Sequence, residues 1–282
     1  MIILILNYFH RSGFRRLLNV ISKIAYFLKG FGYVKASYHP SFRGYSYQVR
    51  GVTYLSLGPG WAYNFEYLRN VLVESYNHEY LPKLGDCVVD IGAGLGEETA
   101  IYSMLAGRSG KVHALEANPV TYSGLHYLCK QNGFIQTIPH HLAIYNTDGE
   151  VTIEDNEESY LTNTINATTS KTHRQKVRAL TLDSFVKENS ISCIDFLKSN
   201  IEGAEQFLIE GMSDSIKIIR NVCISCHDFR HIYHGHGEFY VTKEKVKSFL
   251  LANGFEIIDR HSGNRVIDDF IYARNPLFTE FG

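Results

Sequence analysis

The 282-residue sequence lacks long apolar runs and carries almost no net charge, and each absence narrows the classes of protein to consider. Its apolar first segment, residues 1–9, is shorter than the ~20 residues of a bilayer-spanning helix and lacks a leading basic stretch and a small-residue cleavage site. We therefore expect no membrane span and no export signal. The formal net charge of -1 gives no sign of a basic nucleic-acid surface, so we expect no nucleic-acid partner.

Cysteine is also scarce, with five residues that suggest no disulfide framework. Cys223 and Cys226 have C-x-x-C spacing, but they lack the strand-to-helix setting of a redox pair, and no second pair exists for zinc. Three of the five cysteines lie in or beside apolar, strand-like runs. We expect buried, reduced thiols and hence a cytoplasmic protein.

The composition, 45% hydrophobic and 20% charged residues, suits one large α/β domain with an N-terminal extension. We expect residues 1–69 to form a helix and an aromatic-rich flap, and residues 70–282 to form the main domain. Residues 11–29 mix basic and apolar side chains, which predicts an amphipathic helix. Two interpretations of this helix stay open: it lies on an anionic membrane surface, or it packs against the domain.

From residue 88 onward, strand-like and helix-like segments alternate, which is typical of a parallel sheet with helices on both faces. The expected strands are 88–91, 111–115, 137–143, 194–198 and 221–226, with a further edge strand at 149–153. The expected helices are 97–106, 119–132, 181–189, 202–212 and 242–253. The segments 255–259 and 270–274 predict an antiparallel hairpin at one edge of the sheet. The polar segment 154–176 is the candidate for a mobile loop.

One segment joins a buried strand, a glycine turn and a helix start, because residues 88–96 read Val-Val-Asp-Ile-Gly-Ala-Gly-Leu-Gly. The β-branched run predicts a strand covered on both faces, and the glycines permit positive φ and a close approach of a ligand to the backbone. Ala100, Ile101, Met104 and Leu105 then share one face of a helix, so the turn meets a helix N-terminus with free amides. This arrangement predicts a nucleotide-cofactor site.

The residues around this turn favour S-adenosylmethionine over a dinucleotide. A dinucleotide fingerprint needs glycine at the sixth position of the motif, where this chain has Glu97. A carboxylate at a helix start repels a diphosphate but tolerates the sulfonium and amino groups of S-adenosylmethionine. Glu116 ends the second strand, where a carboxylate accepts hydrogen bonds from two ribose hydroxyls. A nicotinamide-dependent oxidoreductase is the rival that Glu97 argues against.

Ligands of an open α/β sheet bind beyond the carboxyl ends of the strands, so the loops after strands four and five should complete the site. The first loop supplies Asn200 and Glu202, and the second supplies His227 and Asp228. His227 is the expected general base for a hydroxyl acceptor because imidazole titrates near neutral pH, and Asp228 would orient it or take the proton itself. Glu202 either binds acceptor hydroxyls or only charges a helix N-terminus.

Three further histidines, His231, His234 and His236, follow in the second loop. Together with His227, Asp228 and Glu238 they are candidate ligands for a divalent metal. A flexible loop that binds the acceptor explains the same residues, and we favour that interpretation over a metal.

Four blocks of the sequence resemble FkbM-type S-adenosylmethionine methyltransferases, over about residues 70–275. They are the glycine motif at 89–97, residues 116–119, residues 180–185, and the lysine-ended strand that continues into Ile-Glu-Gly-Ala-Glu at 194–205. The resemblance implies a seven-stranded Rossmann-like sheet and methylation of hydroxyl oxygens on sugars or other natural-product cores. The family usually has Asp where this chain has Asn200, and asparagine cannot act as a general base. A catalytically silent cofactor-binding module is therefore the alternative.

Two sets of site residues follow from the motifs and the resemblance together. The cofactor-binding set is Asp90, Gly92, Ala93, Gly94, Gly96, Glu97, Glu116, Ala117, Asn118, Ala143 and Asn200. The catalytic set is His227, Asp228 and Glu202. We expect a small-molecule or glycan acceptor between the aromatic N-terminal region and the loops after strands four and five.

Overall fold

The structure is a computed structural model that describes residues 15–28, 30–58, 64–155 and 173–281. Its strands are β1 (Lys35–His39), β2 (Gly44–Val49), β3 (Val52–Ser56), β4 (Cys87–Ile91), β5 (Lys111–Glu116), β6 (Thr137–His141), β7 (Ala143–Ile144), β8 (Gly149–Asp155), β9 (His173–Leu180), β10 (Ile194–Ser199), β11 (Ile219–Ser225), β12 (Glu256–Ile258) and β13 (Phe270–Arg274). Its α-helices are α1 (Arg15–Leu28), α2 (Phe65–Val73), α3 (Glu97–Ala106), α4 (Pro119–Asn132), α5 (Leu182–Glu188), α6 (Glu205–Glu210), α7 (Asp228–His234) and α8 (Lys243–Ala252).

The central sheet has seven strands in the order β12-β13-β11-β10-β4-β5-β6. The strands β11, β10, β4, β5 and β6 pair in parallel, and β13 runs antiparallel to both of its neighbours. Alternate residues enter different cores: Val88 packs on the side of α3, whereas Val89 packs on the side of α5, α6 and α8. The sequence-based expectation of a mostly parallel seven-stranded sheet with an antiparallel C-terminal hairpin is confirmed.

Local capping sets the bounds of the two helices that flank the glycine turn. The Asn118 side chain accepts hydrogen bonds from the amides of Val120 and Thr121, Pro119 occupies the first turn, and Gly133 ends α4 with φ of +60°. Gly107 ends α3, also with a positive φ of +63°, although its ψ of -172° differs from the left-handed helical conformation of Gly133. Both helices therefore have the bounds predicted from the sequence, 97–106 and 119–132.

The region after β6 differs from the prediction. The expected strand 137–143 is divided into β6, which completes the central sheet, and β7, which pairs with β9. The strand predicted at 149–153 is β8, and it pairs antiparallel with β9 in a separate three-stranded sheet instead of edging the central one. We did not expect β9, because exposed basic residues interrupt its apolar pattern. Residues 156–172 of the predicted mobile loop lie outside the described residues, as do Trp61 and Tyr63.

The N-terminal strands form an antiparallel sheet, as expected, but they do not cover the ligand site. Phe42 and Leu55 pack against Leu125 and Leu128 of α4, and none of residues 34–58 lines the main cavity. The aromatic side chains of β1 to β3 instead pack against α3 and α4, whereas Tyr67, from the same predicted N-terminal region, does line the cavity. The flap over the acceptor stays a prediction. The division at residue 69 stays a prediction.

Two other features of the described residues bear on the sequence-based expectations. All five cysteines are free thiols, and three of them, Cys129, Cys223 and Cys226, are buried. The cytoplasmic location stays a prediction. No helix within the described ranges has the length and apolar character needed to cross a membrane.

Asn132 ties the N-terminal sheet to α4, and its replacement by alanine tests that attachment. Its side chain accepts a hydrogen bond from the Thr53 amide and donates one to the Thr53 carbonyl, both at 2.8 Å. Asn132→Ala leaves both groups without that partner, so we expect a loss of about 2 kcal/mol in the free energy of unfolding, measured by urea denaturation. The control is Asn253→Ala, at the exposed end of α8, which should cost less than about 0.5 kcal/mol. Equal losses for the two variants would contradict the attachment.

Candidate active site

A cavity of about 380 Å³ lies beyond the carboxyl ends of β4, β5 and β10, within the size range of small-molecule sites. Ten of the predicted site residues line it: Gly92, Ala93, Gly94, Glu97, Glu116, Ala117, Asn118, Ala143, Asn200 and Glu202. Four do not: Asp90, Gly96, His227 and Asp228. The topology thus brings most of the predicted residues to one place.

The glycine turn packs directly against the segment that follows β10. Gly92 has φ of +74°, and a Cβ at this position would lie 2.1 Å from the carbonyl oxygen of Asn200. The Asn200 amide donates to the Ile91 carbonyl at 3.0 Å, and the Gly92 and Ala93 amides both donate to Leu115. Only glycine fits at position 92, because both its backbone conformation and its surroundings exclude a side chain.

Glu116 holds the turn from the other side. Its carboxylate accepts hydrogen bonds from the Gly94 and Asn118 amides, each at 2.8 Å. Burial raises the pKa of Glu116, while these amides and Lys198 oppose the rise. A carboxylate has about four lone-pair sites, so two amides leave acceptor capacity for hydroxyls of a ligand.

A buried ion pair lies beneath the turn. The Lys198 ammonium is 2.9 Å from Asp90 and donates to the Gly92 carbonyl at 2.9 Å, and the other Asp90 oxygen accepts from the Thr99 hydroxyl at 2.6 Å. Burial lowers the pKa of Lys198, but Asp90 and neighbouring glutamates outweigh burial and raise it. Asp90 therefore supports the turn from below instead of facing the cavity, contrary to its predicted contact with the cofactor.

Gly96 also has a packing role. A Cβ at this position would meet the Leu125 side chain at 2.9 Å, so Gly96 permits the start of α3 to approach α4. Its predicted contact with the cofactor is not supported by the lining of the cavity.

The mouth of the cavity is acidic. Burial, followed by repulsion from Glu98, raises the pKa of Glu97 to about 8. Burial raises the pKa of Glu98 as well, although Lys198 opposes this. A cation placed among Glu97, Glu98 and Glu116 would favour their ionised forms, whereas a diphosphate would be repelled.

Asn200 carries an unsatisfied acceptor at the cavity wall. Its side-chain amide donates to the Tyr76 hydroxyl at 3.0 Å, but its Oδ1 atom is buried and has no hydrogen-bond partner among the described residues. Buried acceptors without a partner are rare in folded proteins, and one that lines a cavity indicates a donor on the ligand. The ammonium group of S-adenosylmethionine is such a donor, so the cavity volume, the acidic mouth and Asn200 fit this cofactor.

A second polar cluster adjoins the cavity at Glu202. This residue has φ of +57°, a conformation that costs a non-glycine residue about 1 kcal/mol or more. Its carboxylate lies 2.5 Å from the Arg230 guanidinium and 3.5 Å from the His227 imidazole. The other nitrogen of His227 lies 3.0 Å from Glu205, which is fully buried. The cluster holds one carboxylate, that of Glu202, against the cavity.

This geometry argues against His227 as a general base. Burial lowers the pKa of His227, but Glu205 and Glu202 outweigh burial and raise it to about 10. The imidazole is therefore protonated at neutral pH, and both of its nitrogens already face carboxylates. Sequence reasoning missed these partners because Glu205 is 22 residues away from His227 along the chain.

Asp228 does not orient His227. Its carboxylate accepts hydrogen bonds from the Thr242 amide at 2.8 Å and the Lys243 amide at 3.1 Å, and so it caps the start of α8. The chain enters α7 at Asp228, which directs this side chain away from the imidazole. The geometry gives Asp228 a structural role at α8, and its catalytic role stays a prediction.

Sequence reasoning weighed Tyr67 as a residue on which a cyclic substrate stacks, with core packing as the alternative, and it assigned no role to Tyr76, Lys198, Glu205 and Arg230. Lys198 and Glu205 lie inside a motif block, and a lysine at the end of an apolar strand is itself a signal of a buried charge. Tyr67 and Tyr76 line the cavity from α2 and the turn after it, and nothing in the local pattern distinguishes them from core aromatics. Within the described ranges, no group of three or more His, Cys, Asp or Glu residues is arranged to hold a metal ion.

Comparison with known proteins gives one family and several distant structures. A crystal structure of the FkbM methyltransferase from Methylobacillus flagellatus is 16% identical, with 74% of this chain and 50% of that chain covered and a TM-score of 0.45. Aeropyrum pernix fibrillarin with bound S-adenosyl-L-methionine is 15% identical, with 85% and 98% covered and a TM-score of 0.43. A putative O-methyltransferase from Klebsiella pneumoniae is 10% identical, with 75% and 79% covered and a TM-score of 0.44. No curated protein matches the sequence.

A family model matches the part of the sequence that forms the central sheet. Residues 90–257, more than half of the chain, match the Methyltransferase FkbM domain. The match includes the glycine turn, Glu116, Lys198, Asn200 and the Glu202 cluster. The cofactor expected from the sequence, S-adenosylmethionine, is confirmed with it. The chain belongs to the FkbM family of S-adenosylmethionine-dependent methyltransferases.

Proposed function

We propose that the protein methylates a hydroxyl oxygen of a sugar, glycan or natural-product acceptor. The observation that carries this proposal is the Glu202 carboxylate, which lines the cavity and is held there by Arg230 and His227. A hydroxyl is a poor nucleophile until a base accepts its proton, and Glu202 is a carboxylate in a position to do so. Glycan acceptors also suit a wall with exposed aromatic rings, such as Tyr67, which is 48% exposed.

The cofactor would be held by residues along the ends of β4 and β5. Glu116 would accept hydrogen bonds from the ribose hydroxyls, and Asn200 Oδ1 would accept one from the ammonium group. Ala117, which follows β5, and Ala143, at the start of β7, would contact the adenine. When bound, S-adenosylmethionine supplies an electrophilic methyl carbon with a good leaving group. The protein then has to align the acceptor and exclude water, and apolar residues of the cavity lining, such as Leu68, Val71 and Ile201, would favour the exclusion of water.

The acceptor proton is assigned to Glu202 instead of His227. In the transfer, the acceptor oxygen would form a bond to the methyl carbon while the bond from that carbon to sulfur breaks and S-adenosylhomocysteine leaves; the hydroxyl proton would pass to the Glu202 carboxylate. His227 and Arg230 are positioning residues, because their positive charges keep that carboxylate in place. Asn200 is neutral, so in this proposal it binds the ammonium group of the cofactor and takes no part in proton transfer.

The proposed reaction predicts that labelled methyl groups pass from S-adenosylmethionine into a hydroxyl of a glycan or other small molecule in a cell extract. The product would be identified by mass spectrometry and tested for the alkali stability of an ether. Label in RNA or protein would contradict the acceptor class. Tight cofactor binding with no methyl transfer to any molecule of the extract or of a glycan panel would instead support a catalytically silent module. Asn200 raised that alternative.

Glu202→Gln tests the assignment of the base. The variant keeps the size of the side chain but cannot accept the proton, so we expect kcat to fall by about 10²-fold or more while the dissociation constant of S-adenosylhomocysteine stays within about twofold. The matched control is Glu244→Gln on the exposed face of α8, which should leave both constants unchanged. Wild-type turnover in Glu202→Gln would remove Glu202 as the base.

The raised pKa of Glu97 predicts a pH-dependent preference for the cationic cofactor. Above the pKa of about 8, Glu97 is ionised and attracts a sulfonium, whereas below it the side chain is neutral. Affinity for S-adenosylmethionine relative to the uncharged thioether S-adenosylhomocysteine should thus rise about tenfold between pH 6.5 and pH 9, by calorimetry. Glu97→Gln should flatten this ratio. A ratio with the same pH dependence in Glu97→Gln would show that another group is responsible.

A further inference from the structure

The helix α1 presents an apolar stripe that is exposed within the described part of the chain. Five large apolar side chains, Leu17, Val20, Ile24, Phe27 and Leu28, are between 44% and 78% exposed. Their spacing of three, four, three and one residues places them on one face of the helix, over an arc of about 100°. Single exposed apolar residues are ordinary, but five on one helix face indicate a surface that contacts something.

The opposite face of α1 is anchored to the protein. Tyr26 is 2% exposed and packs against Tyr47 of β2 at 5.3 Å and Phe31 at 6.2 Å between ring centroids. The two interpretations left open by the sequence are therefore compatible, because the helix packs on the domain through Tyr26 and directs a separate stripe outward. A rigid attachment to the N-terminal sheet gives the stripe a defined orientation.

The charge of this region identifies the kind of partner. The first 65 residues contain eight Lys and Arg residues and no Asp or Glu, whereas the remainder has 20 basic and 29 acidic residues. Lys23 lies beside the stripe, 5.7 Å from the ring of Tyr33, and Tyr33 is 78% exposed. Lys35 on β1 and Arg50 in the turn between β2 and β3 are exposed. Positive charge around an apolar stripe, with an interfacial tyrosine, complements an anionic lipid surface.

We propose that α1 docks the protein onto the surface of an anionic bilayer. The apolar stripe enters the boundary between headgroups and acyl chains, and the basic residues of the N-terminal region contact the lipid phosphates. The helix lies parallel to the membrane plane, since Tyr26 on its opposite face stays packed against β2. This inference is independent of the proposed methyl acceptor.

Sedimentation with vesicles tests the docking with the full chain. We expect the protein to pellet with phosphatidylglycerol-containing vesicles at least tenfold more than with phosphatidylcholine alone. The difference should shrink between ~0.1 M and ~1 M NaCl, because salt screens exposed charges. Equal binding to both vesicle types, or no binding to either, would overturn the proposal.

Variants of the stripe separate docking from other uses of α1. Ile24→Ser combined with Phe27→Ser should lower vesicle binding at least tenfold, and the single variant Lys23→Glu should lower it severalfold. The matched control, Ile135→Ser with Leu277→Ser, changes two residues that are 74% and 80% exposed elsewhere, and should bind as the wild type does. Thermal melting and S-adenosylhomocysteine affinity, expected to be unchanged, verify that each variant folds.

The competing explanation is that a second copy of the chain covers the apolar stripe of α1. If the stripe joins two copies, light scattering would show a dimer that Ile24→Ser with Phe27→Ser converts to a monomer, without any preference for anionic lipid. That result would overturn the membrane assignment.

Discussion

The buried contact of Lys198 with Asp90 and the Gly92 carbonyl is the constraint on which the site depends. It joins the ends of β10 and β4, and the carbonyl of Asn200 lies so close to Gly92 that no side chain fits between them. Removing two charges from water is costly, and the loss of one partner of such a pair leaves the other charge buried and uncompensated. The pair therefore specifies the shape of the turn more than it adds to stability, and the cavity floor follows from that shape.

Two groups of acidic residues surround the cavity, and different cations balance them. Glu97, Glu98 and Glu116 share the field of Lys198, which is insufficient to prevent burial from raising their pKa values. Glu202 instead faces Arg230 and His227 directly. The first group is thus arranged to gain from a bound cation, whereas the second is already neutralised and serves to position one carboxylate. This division of charge is what distinguishes cofactor binding from proton transfer in the proposed function.

The N-terminal region is attached to the sheet domain through α3 and α4. Its strands bury their aromatic residues against α3 and α4, and Asn132 adds two hydrogen bonds to this attachment. Tyr67 and Val71 of α2 line the cavity, and the N-terminal region carries α1 with an exposed apolar face. The basic residues of the chain before residue 66 and the excess of acidic residues after it therefore belong to different parts of the fold.

The sequence by itself determined what depends on neighbouring residues. The strand, glycine turn and helix at 87–106, and the helix 119–132 with its Asn118 cap, follow from local sterics and capping, and the motif blocks identified the family and its cofactor. Only the tertiary structure decided which charges meet. His227 meets Glu205, Asn200 meets Tyr76, and β7 leaves the central sheet for β9, all through contacts between residues 22 or more positions apart. Such contacts are set by the packing of whole elements, and no local periodicity encodes them.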